Sequence, residues 1–512
     1  MLSRILGLVR EQLIATLFSR TATDAFYVSF RIPNLLRDLF AEGAMSSAFI
    51  PTFTEYLKNR SRKEAWELAS NVMNLLLVGL SGVALLGILG SQILVGRFAG
   101  EFAATPGKFE LTVLLTQVMF PFLPMVALAA VLMGVLNSQG TLFVPALAPA
   151  LFNVGSLAVA LALYRWLPAW GFDPVLGMAI GTLLGGALQL CIQLPALVKK
   201  GFVYSAVLTL RHPGVRQILL LMGPGTIGLA STQINILVNT WLATSQGEGP
   251  VSWLNYAFRL MQFPLGLFGV SIAAATLPRL SAHVADGELE GLRKTLASAM
   301  RLVLVINIPA SFGLAFLSGP IIALAYEHGK FGPADTLATA RALVFYSVGL
   351  FAYSGIKVLV PAFYALGRPR VPVIISSVSV AINIALNFWL VVPLGYLGLA
   401  LSTSLSAIGN LVLLFWQLRK SAAAFSVVEI FILGLKMGAA SLGMGLLALQ
   451  TQARVAASVS DGSVASEALV LGLAIAIGIA GLYAACRLMR VEEVETMRTA
   501  ARRKLAALFG GS

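Results

Sequence analysis

Between Ser29 and Pro51 the chain reads "SFRIPNLLRDLFAEGAMSSAFIP", which threads Arg31, Arg37, Asp38 and Glu42 through apolar residues with no loop signal. On a helix, Arg31, Asn34, Asp38 and Glu42 fall within about one 80° stripe, with Arg37 beside it. Near the N-terminus Ser3 shares a stripe with Arg10, and Arg4 with Glu11. Arg259 is a further charge in an apolar run. These residue types suit holding an anion rather than making or breaking bonds. The planar guanidinium donates two parallel hydrogen bonds, which fits a diphosphate. Arg10, Arg37 and Arg259 lie deepest and are the first candidates for a ligand. Arg4 can instead carry its charge out to the helix end. Arg31 and Asp38 either pair with each other or face the ligand.

Other polar groups suggest less. Asn383 and Asn387 lie one turn apart, with Thr403 on the next helix. Their oxygens can coordinate a monovalent cation, but hydrogen bonding between helices is the commoner role. Glu429 and Lys436 share a face and can pair. His212, His283 and His328 lie in or beside loops without metal-ligand spacing. No GxxxxGK[ST] string occurs, so ATP is not the expected direct energy source. No enzyme is expected, and neither a cofactor nor a metal.

The elements that must position these charges are membrane helices. The 512 residues are 58% hydrophobic and 11% charged, with mean hydropathy +0.86, whereas soluble domains carry about 25% charged residues. Apolar runs recur along the whole length and read as about fourteen spans, an all-α polytopic membrane protein. A charge at the bilayer centre costs about 2.5–3.5 kcal/mol on the most forgiving scale, so the intramembrane arginines should face protein or water. No cleavable signal peptide is expected, because the first residues carry charges where an apolar core belongs. Cys191 and Cys486 fall inside expected helices and suggest no disulfide framework. With a cytoplasmic N-terminus, 22 of the 36 Lys and Arg fall in cytoplasmic loops and seven in the opposite loops. That bias supports cytoplasmic termini and explains the net charge of +14 without nucleic acid.

The chain also repeats. "FRIPNLL" at Phe30 and "FRLMQFP" at Phe258 open alike, 228 residues apart, and Pro51 and Pro278 close those stretches 227 apart. "VPALAPALFNV" from Val144 and "VPVIISSVSVAIN" from Val371 share the offset of 227. The expected organisation is a six-helix lobe over 1–198, a second over 199–420, two extra helices over 421–490 and a tail over 491–512. Two lobes in the same membrane orientation are a transporter architecture. Pro33 and Pro264 should loosen their helices.

"SRILGLVRE", "ATDAFYVSFRIPNLLRDLFAEGAMSSAFIP", "VSWLNYAFRLMQFPLG" and "SVGLFAYSGIKVLVPAFYALGRPRVP" resemble the MurJ (MviN) lipid II flippases. These belong to the multidrug/oligosaccharidyl-lipid/polysaccharide exporter superfamily, and the resemblance covers nearly the whole chain. It implies two pseudo-symmetric lobes around a cationic cavity. It also implies export of the lipid-linked peptidoglycan precursor, by alternating access, to the outer leaflet of the bacterial cytoplasmic membrane. By the same resemblance Ser3, Arg4, Arg10, Arg37 and Arg259 hold the diphosphate-sugar head group, with Asn153 as a polar cavity residue. Asp24 and Glu42 match acidic positions tied to transport and gating, where Arg31 and Asp38 are also placed. The two extra helices would form a groove for the polyprenyl tail. The partners implied are lipid II, membrane lipids and peptidoglycan synthases.

The sequence also departs from the family pattern. Asp38 stands where a basic residue is common and Phe258 where Asp is common. Asn239 and Asn387 replace carboxylates of a sodium site found in some relatives. A sodium site at Asn239, Asn383, Asn387 and Thr403 is therefore weakly supported, and membrane potential is the expected energy source. Flipping of another polyprenyl-diphosphate glycan is the nearest alternative. Multidrug or cation antiport fits less well, because several arginines would repel organic cations.

Overall fold

A computed structural model of the chain describes residues 2–39, 48–420, 426–459 and 463–495. Among them every regular element is helical. Ten helices are long and apolar enough to cross a membrane. The number is eleven when Pro333–Ser347 and Leu350–Ala365, bent by 43°, count as one broken span. Leu2–Leu17, Arg20–Arg37 and Pro213–Thr244 are the further helices used by the fourteen-span reading. The first has 16 residues, fewer than the roughly 20 of an ordinary span. The second carries Arg20, Asp24, Arg31 and Arg37, so its average apolarity is low.

The repeat holds helix by helix. Arg62–Leu89 and Leu289–Phe316 begin and end 227 residues apart. Phe143–Tyr164 and Arg370–Leu394 begin at that offset, and Leu2–Leu17 and Pro213–Thr244 end at it. A π-helical widening at 38–39 recurs at Leu265–Gly269, directly after Pro264. Packing repeats as well. Arg62–Leu89 lies on Phe122–Ser138 as Leu289–Phe316 lies on Leu350–Ala365. Val131 and Leu132 in one core recur as Val358 and Leu359 in the other.

Two compact units result. One is the chain up to Ser252 with Gly329–Phe331; the other is Trp253–His328 with the chain from Gly332 onward. The repeat places a boundary after residue 198, but the packing divides later. Pro213–Thr244 lies on Ile50–Asn59 and Arg62–Leu89, and Thr244 Oγ1 donates to the Phe98 carbonyl at 3.3 Å. A sequence offset shows where a copy begins, whereas side-chain contacts decide which unit a helix joins. In the same unit the Lys330 N–H donates to the Thr16 carbonyl at 2.8 Å. Gly329 beside it has φ +61°, and a Cβ there would lie 2.3 Å from that carbonyl oxygen. Only glycine combines this φ with so close an approach.

In the second unit Val427–Val459 and Val464–Leu488 pack on each other, and the former also lies against Leu289–Phe316.

Candidate functional site

Arg10 and Arg37 of the first unit are each held by the acid next to them in sequence. Arg10 is only 11% exposed, and its Nη2 lies 3.2 Å from Glu11 Oε1. Its guanidinium stands 5.7 Å from the centre of the Phe152 ring. Glu11 is buried and also accepts from the Tyr27 hydroxyl on the next helix. The acid offsets the arginine's charge, yet Arg10 Nε has no hydrogen-bond partner among the described residues. The pair is therefore close to neutral, with one guanidinium N–H left unmatched.

Arg37 donates through Nε and Nη2 to Asp38 Oδ1, at 3.0 and 2.6 Å. Asp38 Oδ2 accepts from Asn34 Nδ2 at 3.4 Å and Gln233 Nε2 at 3.0 Å. The sequence offered Arg31 as partner to Asp38, and the structure shows Arg37 in that role. Arg31 lies half-buried on the same helix. Gln233 is 195 residues away from Asp38 and carries no charge to mark it, so sequence reasoning did not find it.

Asp24 is fully buried. Its carboxylate takes Lys108 Nζ at 2.9 Å, the Gly249 N–H at 2.7 Å, the Ser252 N–H at 2.9 Å and Ser252 Oγ at 2.6 Å. The Ser252 amide lies in the first turn of Pro250–Pro264 and the Gly249 amide just before it, where an acid is favoured by the helix dipole and by the unpaired N–H groups. Lys108 is buried too, with Nζ 4.0 Å from the centre of the Phe102 ring. Lys108 starts the helix Lys108–Met119. The available signal was Asp24 itself, since an acid in an apolar helix needs a cation.

Asn153 is buried and donates from Nδ2 to the Pro149 carbonyl of its own helix at 3.1 Å. Arg259 in the second unit is exposed on Pro250–Pro264. The neighbouring Phe258 ring packs 5.3 Å from Tyr346. The side chains of Ser3 and Arg4, and all of Glu42, lie outside the described residues.

Residues 13–469 match the family described as "Lipid II flippase MurJ". The lipid II flippase MurJ of Burkholderia cenocepacia is 38% identical over 427 residues, covering 82% of each chain. A probable lipid II flippase MurJ of Bdellovibrio bacteriovorus is 34% identical over 498 residues, covering 97% of this chain and 94% of the relative. The chain belongs to the MurJ family. Among solved structures, a lipid II flippase MurJ in an inward closed conformation superposes with TM-score 0.80 at 26% identity, covering 96% of this chain and 97% of that one. An inward-facing multidrug MATE transporter of the MOP superfamily gives 0.68 at 18% identity, covering 82% and 95%, a likeness of fold alone.

In this MurJ-family chain three of the four candidate sodium ligands, Asn383, Asn387 and Thr403, make hydrogen bonds. Asn387 Nδ2 donates to Asn383 Oδ1 at 3.1 Å, and Ser402 Oγ donates to Asn387 Oδ1. Thr403 Oγ1 donates to the Leu399 carbonyl at 2.6 Å. These bonds tie Arg370–Leu394 to Tyr396–Arg419. Asn239 is half-buried on Pro213–Thr244, in the first unit. Among the described residues no cluster of three or more His, Cys, Asp or Glu is placed to hold a metal.

Glu429 and Lys436 do not pair. Seven residues of helix separate them by about 10 Å. Glu429 meets Arg301, which also lies 3.5 Å from Glu493. Lys436 Nζ donates to the Met489 carbonyl at 3.1 Å, at the C-terminal end of Val464–Leu488.

Proposed function

We propose that this protein flips lipid II, the lipid-linked peptidoglycan precursor, from the inner to the outer leaflet of the bacterial cytoplasmic membrane by alternating access. It is a transporter rather than an enzyme. The observation that carries the reading is the retention of Arg10, Arg37 and Arg259 inside membrane helices of a MurJ-family chain. Their forks fit a diphosphate, and an isolated arginine at such depth is costly. Glu11 and Asp38 offset that cost while the site is empty. Arg31, Asp24 and the acid at Glu42 act in gating, and Ser3, Arg4 and Asn153 complete the head-group contacts. The polyprenyl tail lies along Val427–Val459 and Val464–Leu488, which expose Leu435, Leu442, Leu446, Leu473 and Ile477.

Both termini are cytoplasmic in this reading. Arg60 over Tyr56, Arg62 over Trp66 and Lys420 over Trp416 support it, since these pairs stand at the basic helix ends. Membrane potential supplies the energy. The asparagine network, without a carboxylate, weighs against a sodium requirement. The deciding experiment is depletion in the host while the leaflet holding lipid II is followed. Accumulation in the inner leaflet is the expected result, and unchanged exposure in the outer leaflet would refute the assignment.

A further inference from the structure

A second surface lies far from the arginines in sequence and has no part in the reading above. Between Leu194–Lys199 and Pro213–Thr244 the chain runs "FVYSAVLTL" from Phe202 to Leu210, uncharged throughout and without helix. Lys199 and Lys200 precede it and Arg211 follows.

Polar side chains of Arg62–Leu89 fasten this segment. Asn71 pairs with both backbone groups of Thr209, donating to its carbonyl at 2.8 Å and accepting from its N–H at 2.9 Å. Asn74 Nδ2 donates to the Ser205 and Val207 carbonyls at 3.2 and 2.9 Å. Ser70 Oγ accepts from the Ser205 N–H at 3.1 Å. One backbone edge is thus paired by a helix's amides, as a neighbouring strand would pair it.

The other side is open. From Tyr204 to Leu210 exposure alternates with the period of an extended chain. Leu208 and Leu210 are 56% and 65% exposed; Tyr204 is 58% exposed, with its hydroxyl donating back to Asn74 Oδ1 at 2.9 Å; Ser205, Val207 and Thr209 between them are half-buried. An exposed apolar row on a segment held this firmly needs an occupant.

Depth identifies the occupant. The last charge of Arg62–Leu89 is Glu67. The uncharged remainder, residues 68–89, is about 33 Å long, close to the roughly 30 Å of a hydrocarbon core. Asn71 and Asn74 lie in the first two turns of that stretch, so the segment is fastened at the edge of the bilayer. There an apolar row flanked by lysine and arginine matches a leaflet rich in anionic head groups. The interface also supplies water and head groups to the unpaired backbone edge, which hydrocarbon would not. We propose that residues 202–210 form an interfacial strap that lays Leu208 and Leu210, with the ring of Tyr204 beside them, into an anionic lipid leaflet. Lys199 and Arg211 lie on its head groups, and Lys200, whose ammonium also donates to the Gln139 carbonyl at 3.3 Å, adds its charge behind them. The proposal does not depend on what the protein transports.

The test uses the full chain without its two cysteines, carrying Leu208→Cys, Leu210→Cys or Val207→Cys labelled with an environment-sensitive fluorophore. The protein is reconstituted in phosphatidylcholine vesicles with or without phosphatidylglycerol. Blue-shifted emission is expected at 208 and 210 with phosphatidylglycerol, quenched by a nitroxide near the top of the acyl chain. The probe at 207 should be quenched far less. Lys199→Gln, Lys200→Gln and Arg211→Gln together should abolish the difference between the two vesicle compositions. Water-like, unquenched emission at 208 and 210 in the mixed vesicles would overturn the proposal. A blue shift found only in native membranes, and lost on purification, would do so too, because it assigns the row to a protein partner.

Discussion

At the scale of single residues, charge balance explains how arginines persist in apolar helices. Arg10 leans on Glu11, and Arg37 on Asp38. Neither acid is needed if the arginine's task is only to bind an anion, but both are needed when the site is empty. Replacing Arg10, Arg37 or Arg259 by alanine should therefore abolish complementation while the protein still reaches the membrane. Each charge-assisted hydrogen bond lost is worth about 1.5–3 kcal/mol, about tenfold to a hundredfold in affinity. Lysine should fail as well wherever two parallel bonds are made. Normal growth with all three alanine variants would disprove the head-group site. The Asp24–Lys108 pair is a separate case, being fully buried. Asp24→Asn and Lys108→Met should each cost about 3–5 kcal/mol, because each leaves one buried charge alone. The double variant should lose less than the sum of the two. Thermal unfolding in detergent measures all three, and single variants as stable as the parent would show that the pair contributes nothing.

At the scale of elements, close approach of helix backbones does what cannot be left to apolar attraction in lipid. Gly177, Gly181 and Gly185 form a small-residue stripe along Leu176–Cys191. A Cβ at these positions would meet the carbonyl oxygens of Ala160, Ser156 and Phe152 at 3.3, 2.4 and 2.7 Å. The stripe thus descends Phe143–Tyr164 four residues at a time. Backbone oxygens cannot rotate away, so Gly181→Ala should destabilise by about 1–3 kcal/mol. Gly409→Ala faces open space and should change stability by no more than about 0.5–1 kcal/mol, in the favourable direction. Equal melting temperatures for the two variants would refute the packing argument.

At the scale of the whole molecule, orientation and energy source follow from charge. Cysteines at Ser61 and Ser245 of a cysteine-free chain should differ in intact cells. Ser245→Cys is expected to react with an impermeant thiol reagent and Ser61→Cys to stay unlabelled, while the reverse pattern would invert the topology. Moving a charge through 100 mV is worth about 2.3 kcal/mol, so a diphosphate leaving an inside-negative cell gains roughly 4–5 kcal/mol. Flipping should then fall when an ionophore collapses the potential at constant ATP, and should survive removal of sodium. Unchanged flipping after depolarisation would refute the energetic scheme. Loss of flipping on sodium withdrawal alone would show that Asn239, Asn383, Asn387 or Thr403 joins a working cation site.

The sequence by itself determined the helical membrane class, the 227-residue repeat and the basic bias of one set of loops. Hydropathy, offset and charge count are properties along the chain, and they need no contact to be visible. Helix periodicity likewise placed Arg31, Asp38 and Glu42 on one face. It could not say what that face meets. Gln233 lies 195 residues from Asp38, and Lys108 lies 84 from Asp24. Such partners are chosen by how helices pack, and an uncharged glutamine or a lysine beside a turn carries no mark of that choice. Packing likewise put Pro213–Thr244 with the first unit although the repeat begins the second copy there. It closed Asn383, Asn387 and Ser402 into a hydrogen-bond network. It also fixed an unremarked loop along Asn71 and Asn74. Linear pattern sets which side chains must avoid lipid, and only the folded chain decides which partner each of them finds.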